Sequence, residues 1–129
     1  MNYYFNKTVE NVAFDEVIES VTAALTTEGF GVLTEIDVKA TFKKKLDVDF
    51  RNYRILGACN PAFAFKALEA EDKIGTMLPC NIVIHQISDT QIEIAAVDPV
   101  ASMQAIENNN LIELAGEIRA KLERVIIQS

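Results

Sequence analysis

The chain has 129 residues, of which 50% are hydrophobic and 24% are charged. This length and composition fit one folded domain and exclude a disordered chain, so we expect a single domain over residues 1–129. Twelve basic and nineteen acidic residues give a formal net charge of −7. An acidic surface repels phosphate groups, so general binding to nucleic acid or to anionic membranes is disfavoured.

The targeting and redox signals favour a reducing compartment. Residues 1–7 lack a basic segment followed by an apolar stretch, and no run reaches the roughly 18 apolar residues of a membrane span. Two cysteines, Cys59 and Cys80, are too few for a disulfide scaffold in a chain of this size. We therefore expect two free thiols, a cytoplasmic location and no membrane segment.

The first half of the chain alternates strand and helix patterns. Residues 2–8 and 30–36 predict strands, and residues 12–28 predict an amphipathic helix between Asn11 as its cap and Gly29 after its end. Asp37 can cap a short following helix. Residues 39–54 then hold six basic and two acidic side chains. This basic stretch is either a solvated helix face or a contact for an anion or an acidic partner.

The second half predicts three more strands, over residues 53–59, 80–87 and 91–97, with the last two forming a hairpin. Helices are predicted over 61–70, from Pro99 to Ile106, and over 111–127, with residues 71–79 as a loop. The order β-α-β-α-β-α-β-β-α-α predicts an α+β domain. Its mixed five-stranded sheet would be covered by two long helices in a two-layer arrangement.

Consecutive apolar residues in the fourth strand bear on the quaternary structure. Ile82, Val83 and Ile84 leave neither face of this strand polar, which is typical of a strand buried on both sides. A two-layer monomer would leave one of these faces open. We expect a homodimer to close it, the alternative being a short helix or a terminus that covers it.

A dense set of motifs lies between residues 53 and 103. Tyr53 precedes a Gly-x-Cys-Asn-Pro turn that begins at Gly57, and residues 74–81 read Ile-Gly followed by Leu-Pro-Cys-Asn. Asp98-Pro99 then lies near Met103. This pattern resembles domain-of-unknown-function family 302 of bacteria and archaea. The resemblance implies a small α/β domain that dimerises, and it supplies no activity because the family has none established.

The candidate ligand-binding residues belong to these motifs, where strand ends meet helix starts. Helix N-termini at Asn60-Pro61 and Asp98-Pro99 present free backbone N–H groups that can hold a small anionic molecule, although capping alone also explains both pairs. We expect a homodimeric ligand- or partner-binding module. Its candidate ligand-binding residues are Tyr53, Cys59, Asn60, Cys80, Asn81 and Asp98.

The cysteines suggest an alternative function, a thiol-dependent enzyme of redox or sulfur-transfer type. Cys59 lies close to a helix start, which can lower a thiol pKa, so it is the candidate nucleophile. A crossover between the third and fourth strands predicts that they run parallel. Cys59 and Cys80 would then lie about 20 Å apart, too far for a disulfide. Cys80 should instead approach Asp98 across the hairpin.

His85 is the single histidine of the chain. In an alternating strand it points to the face opposite Cys80, which disfavours a Cys/His metal site. The sequence also lacks the spacing motifs of zinc ligands, of phosphate-binding loops and of serine nucleophiles. We therefore expect no metal and no cofactor, and leave open whether the domain catalyses a reaction.

Overall fold

The structure is a computed structural model that describes residues 2–129. The described part contains one sheet of five strands, with helices between the strands and after them. The elements in chain order are β1 (Tyr4–Glu10), α1 (Phe14–Thr27), β2 (Gly31–Asp37), α2 (Val38–Leu46), β3 (Tyr53–Cys59), α3 (Pro61–Ala70), a 3₁₀ helix (Asp72–Met77), β4 (Cys80–Gln86), β5 (Gln91–Val97), α4 (Pro99–Ser102) and α5 (Asn109–Gln128).

The sheet has the strand order β1-β5-β4-β3-β2, and every neighbouring pair is antiparallel. The α+β class and the five-stranded sheet predicted from the sequence are therefore confirmed. The expectation that strands three and four run parallel, which made the predicted sheet mixed, is wrong. Tyr53 pairs with His85 and Ala58 with Cys80, so β3 and β4 run in opposite directions.

The segment between β3 and β4 explains this direction. The ten residues of α3 carry the chain about 15 Å away from the end of β3. The six residues of the 3₁₀ helix, predicted as a loop, bring it back by about 12 Å. The chain thus returns to the end of the sheet that it left, and β4 must run back beside β3.

One face of the sheet carries the core. Helices α1 and α5 pack on it and bury Ile82, Ile84, Ile92 and Ile94 completely. Each such side chain contributes about 1.5–3 kcal/mol when it leaves water. Helix α5 begins two residues earlier than predicted, because Asn108 accepts hydrogen bonds from the N–H groups of the first turn. Within residues 2–129, no helix combines the length and apolar character needed to cross a membrane.

The predicted helix signals are confirmed in part. Asp37 caps α2 by accepting a hydrogen bond from Ala40, and Gly29 follows α1 with a φ of +82°. Asn11 does not cap α1, which begins after Ala13; the Asn11 N–H instead donates to the carbonyl oxygen of Thr90. Helix α4 stops at Ser102 rather than at Ile106.

The second face of the sheet, called the open face below, is not buried by α1 and α5. Its central positions hold Tyr53, Val83, His85 and Ala95, all of them half-buried. Helix α2 lies beside this face, since Phe42 contacts the ring of Phe50, which in turn contacts Tyr53. Val83 is thus neither in the core nor fully exposed, and the two-sided apolar strand lacks a full second layer.

Candidate functional site

A cleft with a volume of about 330 Å³ opens where β3 ends and β4 begins. Apolar side chains form most of its wall, and both cysteines of the chain line it. We call it the cysteine cleft. Its lining residues are Phe30, Leu33, Ala58, Cys59, Asn60, Phe63, Ala64, Leu68, Gly75, Leu78, Pro79 and Cys80.

The two thiols of this cleft are both free, but they differ in exposure. Cys59 is half-buried at the end of β3, whereas Cys80 is buried at the start of β4. Burial and, to a smaller extent, the nearby Cys59 raise the pKa of the Cys80 thiol to about 11. The predicted separation of about 20 Å is wrong because it assumed parallel strands. The antiparallel register instead brings both cysteines to one end of the sheet.

Asn60 connects the start of α3 to the end of α1 beside the cleft. Its side-chain oxygen accepts a hydrogen bond from the N–H of Phe63 (3.2 Å) and so caps α3, as the sequence predicts. Its amide nitrogen donates to the carbonyl oxygen of Glu28 (3.4 Å) at the end of α1. Because both polar atoms of Asn60 bond within the protein, Cys59 is the lining side chain whose polar group is best placed to contact a ligand.

Tyr53 and Asn81 lie elsewhere, in a second concavity on the open face. This sheet groove has a volume of about 390 Å³. Its lining residues are Tyr3, Tyr4, Tyr53, Asn81, Val83, His85, Glu93, Ala95, Ala96 and Val97. Tyr53 and Asn81 therefore do not belong to the cysteine cleft, although they flank its motifs in the sequence.

A chain of hydrogen bonds crosses the sheet groove. Arg51 Nε donates to Nδ1 of His85 (3.2 Å), so the proton of the neutral imidazole lies on Nε2, which donates to Oε1 of Glu93 (2.7 Å). Asn6 Nδ2 donates to Oε2 of Glu93 (2.7 Å). The ring of Tyr53 lies 5.1 Å from that of His85. These contacts fix both the tautomer and the orientation of His85.

Glu93 is held in its charged form by this chain. The hydrogen bond from Asn6 and, next in size, the hydrogen bond from His85 lower the pKa of the Glu93 carboxyl below its ordinary value. Partial burial acts in the opposite direction and is the smaller effect. The groove therefore carries a carboxylate near neutral pH, which makes it a poor place for an anionic ligand.

Asp98 occupies a third location. Its Oδ1 accepts hydrogen bonds from the N–H groups of Val100 (3.0 Å) and Ala101 (3.4 Å), and its Oδ2 accepts one from Arg119 Nε (3.1 Å). The predicted cap of the Asp98-Pro99 helix is confirmed. The β4–β5 register, extended by two residues, brings Cys80 opposite Asp98, yet Asp98 does not line the cysteine cleft.

The relatives of the chain match this architecture over nearly its full length. Residues 5–129 match the family model described as "Domain of unknown function DUF302". The chain belongs to the DUF302 family. It is similar to the "uncharacterized conserved protein DUF302 from Bacillus stearothermophilus", whose crystal structure has a TM-score of 0.86 at 30% sequence identity over 96% of this chain and 97% of that chain. No curated protein matches the chain.

The fold of this DUF302 domain thus brings together three of the six candidate residues, Cys59, Asn60 and Cys80, in one cleft. Sequence reasoning placed His85 on the correct face but missed its pairing with Glu93. The signal was present, because a hairpin that joins the predicted strands 80–87 and 91–97 puts His85 opposite Glu93. Among residues 2–129, no three His, Cys, Asp or Glu side chains cluster closely enough to hold a metal ion.

Proposed function

We propose that this DUF302 domain binds a small, mainly apolar molecule in the cysteine cleft. One observation carries the proposal: the cleft collects Cys59, Asn60 and Cys80, which come from two separate motifs of the sequence. Its volume of about 330 Å³ lies at the lower end of the usual range of ligand sites. Neither Lys nor Arg lines it, so an anionic group of the ligand would have to point out of the cleft mouth.

A fragment screen by thermal shift tests this binding. The probes are neutral aromatic and aliphatic molecules of about the size of indole. Gly75→Leu fills the cleft from the 3₁₀ helix, where an added Cβ meets Leu68 at an ordinary contact distance of 3.9 Å. The matched control is Gly116→Leu on α5, where nothing lies within 4 Å of an added Cβ. We expect hits that bind the wild type and the control but not the Gly75 variant.

Cys59→Ser completes this test, since it keeps the size of the side chain and changes its polarity. A ligand that contacts the thiol loses affinity with Cys59→Ser, whereas a ligand that only fills the apolar wall does not. Hits that bind the Gly75→Leu variant as tightly as the wild type would place the binding site outside the cleft and contradict the proposal.

We also propose that the domain functions as a homodimer in which the open face is closed by a second copy. Val83 and Ala95 form an apolar centre there that α1 and α5 leave uncovered. Light scattering at micromolar concentration should give twice the chain mass of 14.3 kDa. Val83→Arg should give the single mass, while the control Ile127→Arg, at a residue that is 72% exposed, should not. A monomeric wild type would contradict the dimer.

A thiol-dependent reaction at Cys59 is the alternative function. The difference between the two thiols favours it, because Cys59 is accessible in the cleft while Cys80 is buried and protonated. Iodoacetamide labelling across pH, followed by mass for each cysteine, tests it. Labelling of Cys59 that is faster than that of a free thiol at neutral pH would support catalysis. Labelling at or below that rate would contradict the thiol-dependent reaction and leave ligand binding as the proposed function.

The remaining parts of the proposal concern organisation and location. We propose that residues 1–129 act as a single domain, since one sheet and one core unite the elements from β1 to α5. The cytoplasm is the proposed location, because two free thiols fit a reducing compartment. Limited proteolysis that releases a stable smaller fragment would contradict the single domain.

A further inference from the structure

Helix α2 is poorly covered by its own chain. None of its nine residues is buried, and Leu46 is 64% exposed. The ring of Phe42 packs 5.2 Å from that of Phe50, and just beyond the helix Val48 is 46% exposed. An isolated helix of nine residues is marginal in water, so its stability depends on packing. The apolar side of α2 is therefore suited to a further contact.

The charges of α2 are also incompletely paired. The helix carries four lysines and no acidic residue. Lys43 forms ion pairs with Asp47 (2.9 Å) and Asp49 (3.5 Å). Within residues 2–129, no carboxylate lies within 4.0 Å of the amino groups of Lys39, Lys44 and Lys45, so these three charges have no partner in the same chain.

A complementary acidic corner lies at the same end of the sheet but at its opposite edge. Glu10 ends β1, and Asp89 lies in the turn between β4 and β5. In the described part of the chain, neither carboxylate forms an ion pair with a lysine or an arginine. Glu93, on the adjacent strand, is held as a carboxylate by Asn6 and His85. We call Glu10, Asp89 and Glu93 the acidic corner.

The basic helix and the acidic corner cannot neutralise each other within one chain. Strands β2 and β1 form the two edges of a five-stranded sheet, so four strand spacings of about 4.8 Å separate them by roughly 19 Å. At physiological ionic strength, charges are screened over about 8 Å. The attraction between the two groups is therefore negligible inside a protomer.

A second copy can bring an acidic corner close to the basic helix. A two-fold axis that runs along β4, between two open faces, places the β2 edge of each copy over the β1 edge of the other. It keeps the same ends of the two sheets together. In this arrangement α2 lies between the β2 edge of its own copy and the facing β1 edge of the other copy. The contacts from α2 through Phe50 and Tyr53 to His85 show that α2 lies on the side of the open face.

We propose that α2 is a docking element for a second copy, whose acidic corner it contacts through Lys39, Lys44 and Lys45. The inference rests on the proposed homodimer and adds its orientation. Because of the two-fold symmetry, the contact between α2 and the acidic corner forms twice. An arrangement that placed β1 over β1 would bring the two acidic corners together, and their like charges would repel. The acidic partner of the basic stretch is therefore a second copy of the same chain.

Charge reversal followed by charge swapping tests this orientation. Lys44→Glu/Lys45→Glu and Glu10→Lys/Asp89→Lys should each weaken the dimer about tenfold or more, measured by sedimentation at low salt. A mixture of these two variants should form heterodimers, since every contact then joins opposite charges. The chain that carries all four changes should again form homodimers. Lys66→Glu/Lys73→Glu, on exposed positions of α3 and the 3₁₀ helix, is the control and should not weaken the dimer.

The outcomes separate the two proposals. A monomeric wild type overturns both the homodimer and its orientation. A wild-type dimer that Val83→Arg dissociates but that resists both charge reversals keeps the homodimer and overturns the docking of α2. A dimer that is weakened by the α2 reversal but is not restored by the swap also overturns it, because the lysines would then contact a different surface.

Discussion

The cysteine cleft and the open face belong to the same sheet but differ in how far their side chains are packed within one chain. In the cleft, the polar groups serve the fold: Asn60 caps α3 and ties it to α1, and Cys80 is buried with a raised pKa. On the open face, His85 and Glu93 form a polar chain over half-buried apolar residues. The cleft is thus complete within one chain, whereas the open face is covered only in part, by α2.

This difference separates the residues that stabilise each protomer from those that we expect to act in association. Residues at the cleft and on the core face have fixed neighbours, so substitutions there should change the stability of each protomer. Val83 and Ala95, at the apolar centre of the open face, are only half-buried in the protomer, so substitutions there should act mainly through association. The predictions below test this contrast in order of decreasing effect.

The largest contrast lies between adjacent residues of β4. Ile82 is fully buried in the core, whereas Val83 faces the open side. Ile82→Ala should cost about 2–5 kcal/mol of unfolding free energy at any protein concentration. Val83→Ala should cost about 0.5 kcal/mol or less under dilute, monomeric conditions. Urea unfolding measures both.

The concentration dependence makes this comparison sharper. If a second copy covers Val83, the cost of Val83→Ala rises with protein concentration, because the native dimer then loses a buried contact. The cost of Ile82→Ala should stay constant. Equal costs for the two substitutions in dilute solution would show that the open face is covered within the chain, and the contrast would be lost.

The second prediction concerns Gly57, which lies between the two regions: it pairs with Asn81 of the sheet groove and lies beside Pro79 of the cleft. It is buried in β3, and an added Cβ would overlap Oγ1 of Thr34 and lie 2.7 Å from Cγ of Pro79, a residue of the cleft. Gly57→Ala should therefore cost about 1–3 kcal/mol of unfolding free energy. Gly116→Ala, with open space around its Cβ on α5, should instead stabilise by up to about 1 kcal/mol.

A double substitution identifies the source of the strain at Gly57. Thr34→Ala in the Gly57→Ala background removes the overlapping hydroxyl, so part of the lost stability should return. The contact with the ring of Pro79 remains, so recovery should be incomplete. If Gly57→Ala is as stable as the wild type, this strand position does not need glycine.

The sequence predicted the cleft better than the open face because its signals are local. Asn60-Pro61 and Asp98-Pro99 are helix starts that depend on three or four consecutive residues, and both are confirmed. The bounds of β3 and β5 were also predicted correctly from their apolar patterns. Of these elements, the end of β3 and the start of α3 position the cleft, so Cys59 and Asn60 could be named in advance.

Strand direction and the cross-strand contacts could not be predicted in the same way. The return of the chain after α3 depends on the 3₁₀ helix, for which residues 71–79 give no periodic signal. The resulting antiparallel register decides that Cys59 and Cys80 share one end of the sheet. The link between His85 and Glu93 likewise depends on pairing between strands, which a motif scan along the chain does not examine.

The smallest predicted effect is a pH dependence that belongs to the open face. Asn6 and, secondly, His85 lower the pKa of Glu93 below the ordinary 4.5 in the folded state. As the pH falls, the unfolded chain takes up this proton first, so the stability from Glu93 is present above about pH 4.5 and is lost as the pH falls through the folded pKa. Glu93→Gln, which cannot titrate, should lose less stability over this acid range.

Urea midpoints measured across that range distinguish the proposed cause from general acid unfolding. Asn6→Ala removes the largest contribution to the lowered pKa, so its acid slope should fall between those of the wild type and Glu93→Gln. Glu16→Gln, an exposed position on α1, should keep the wild-type slope. If Glu93→Gln follows the wild-type curve, the hydrogen-bond chain on the open face does not stabilise the protomer.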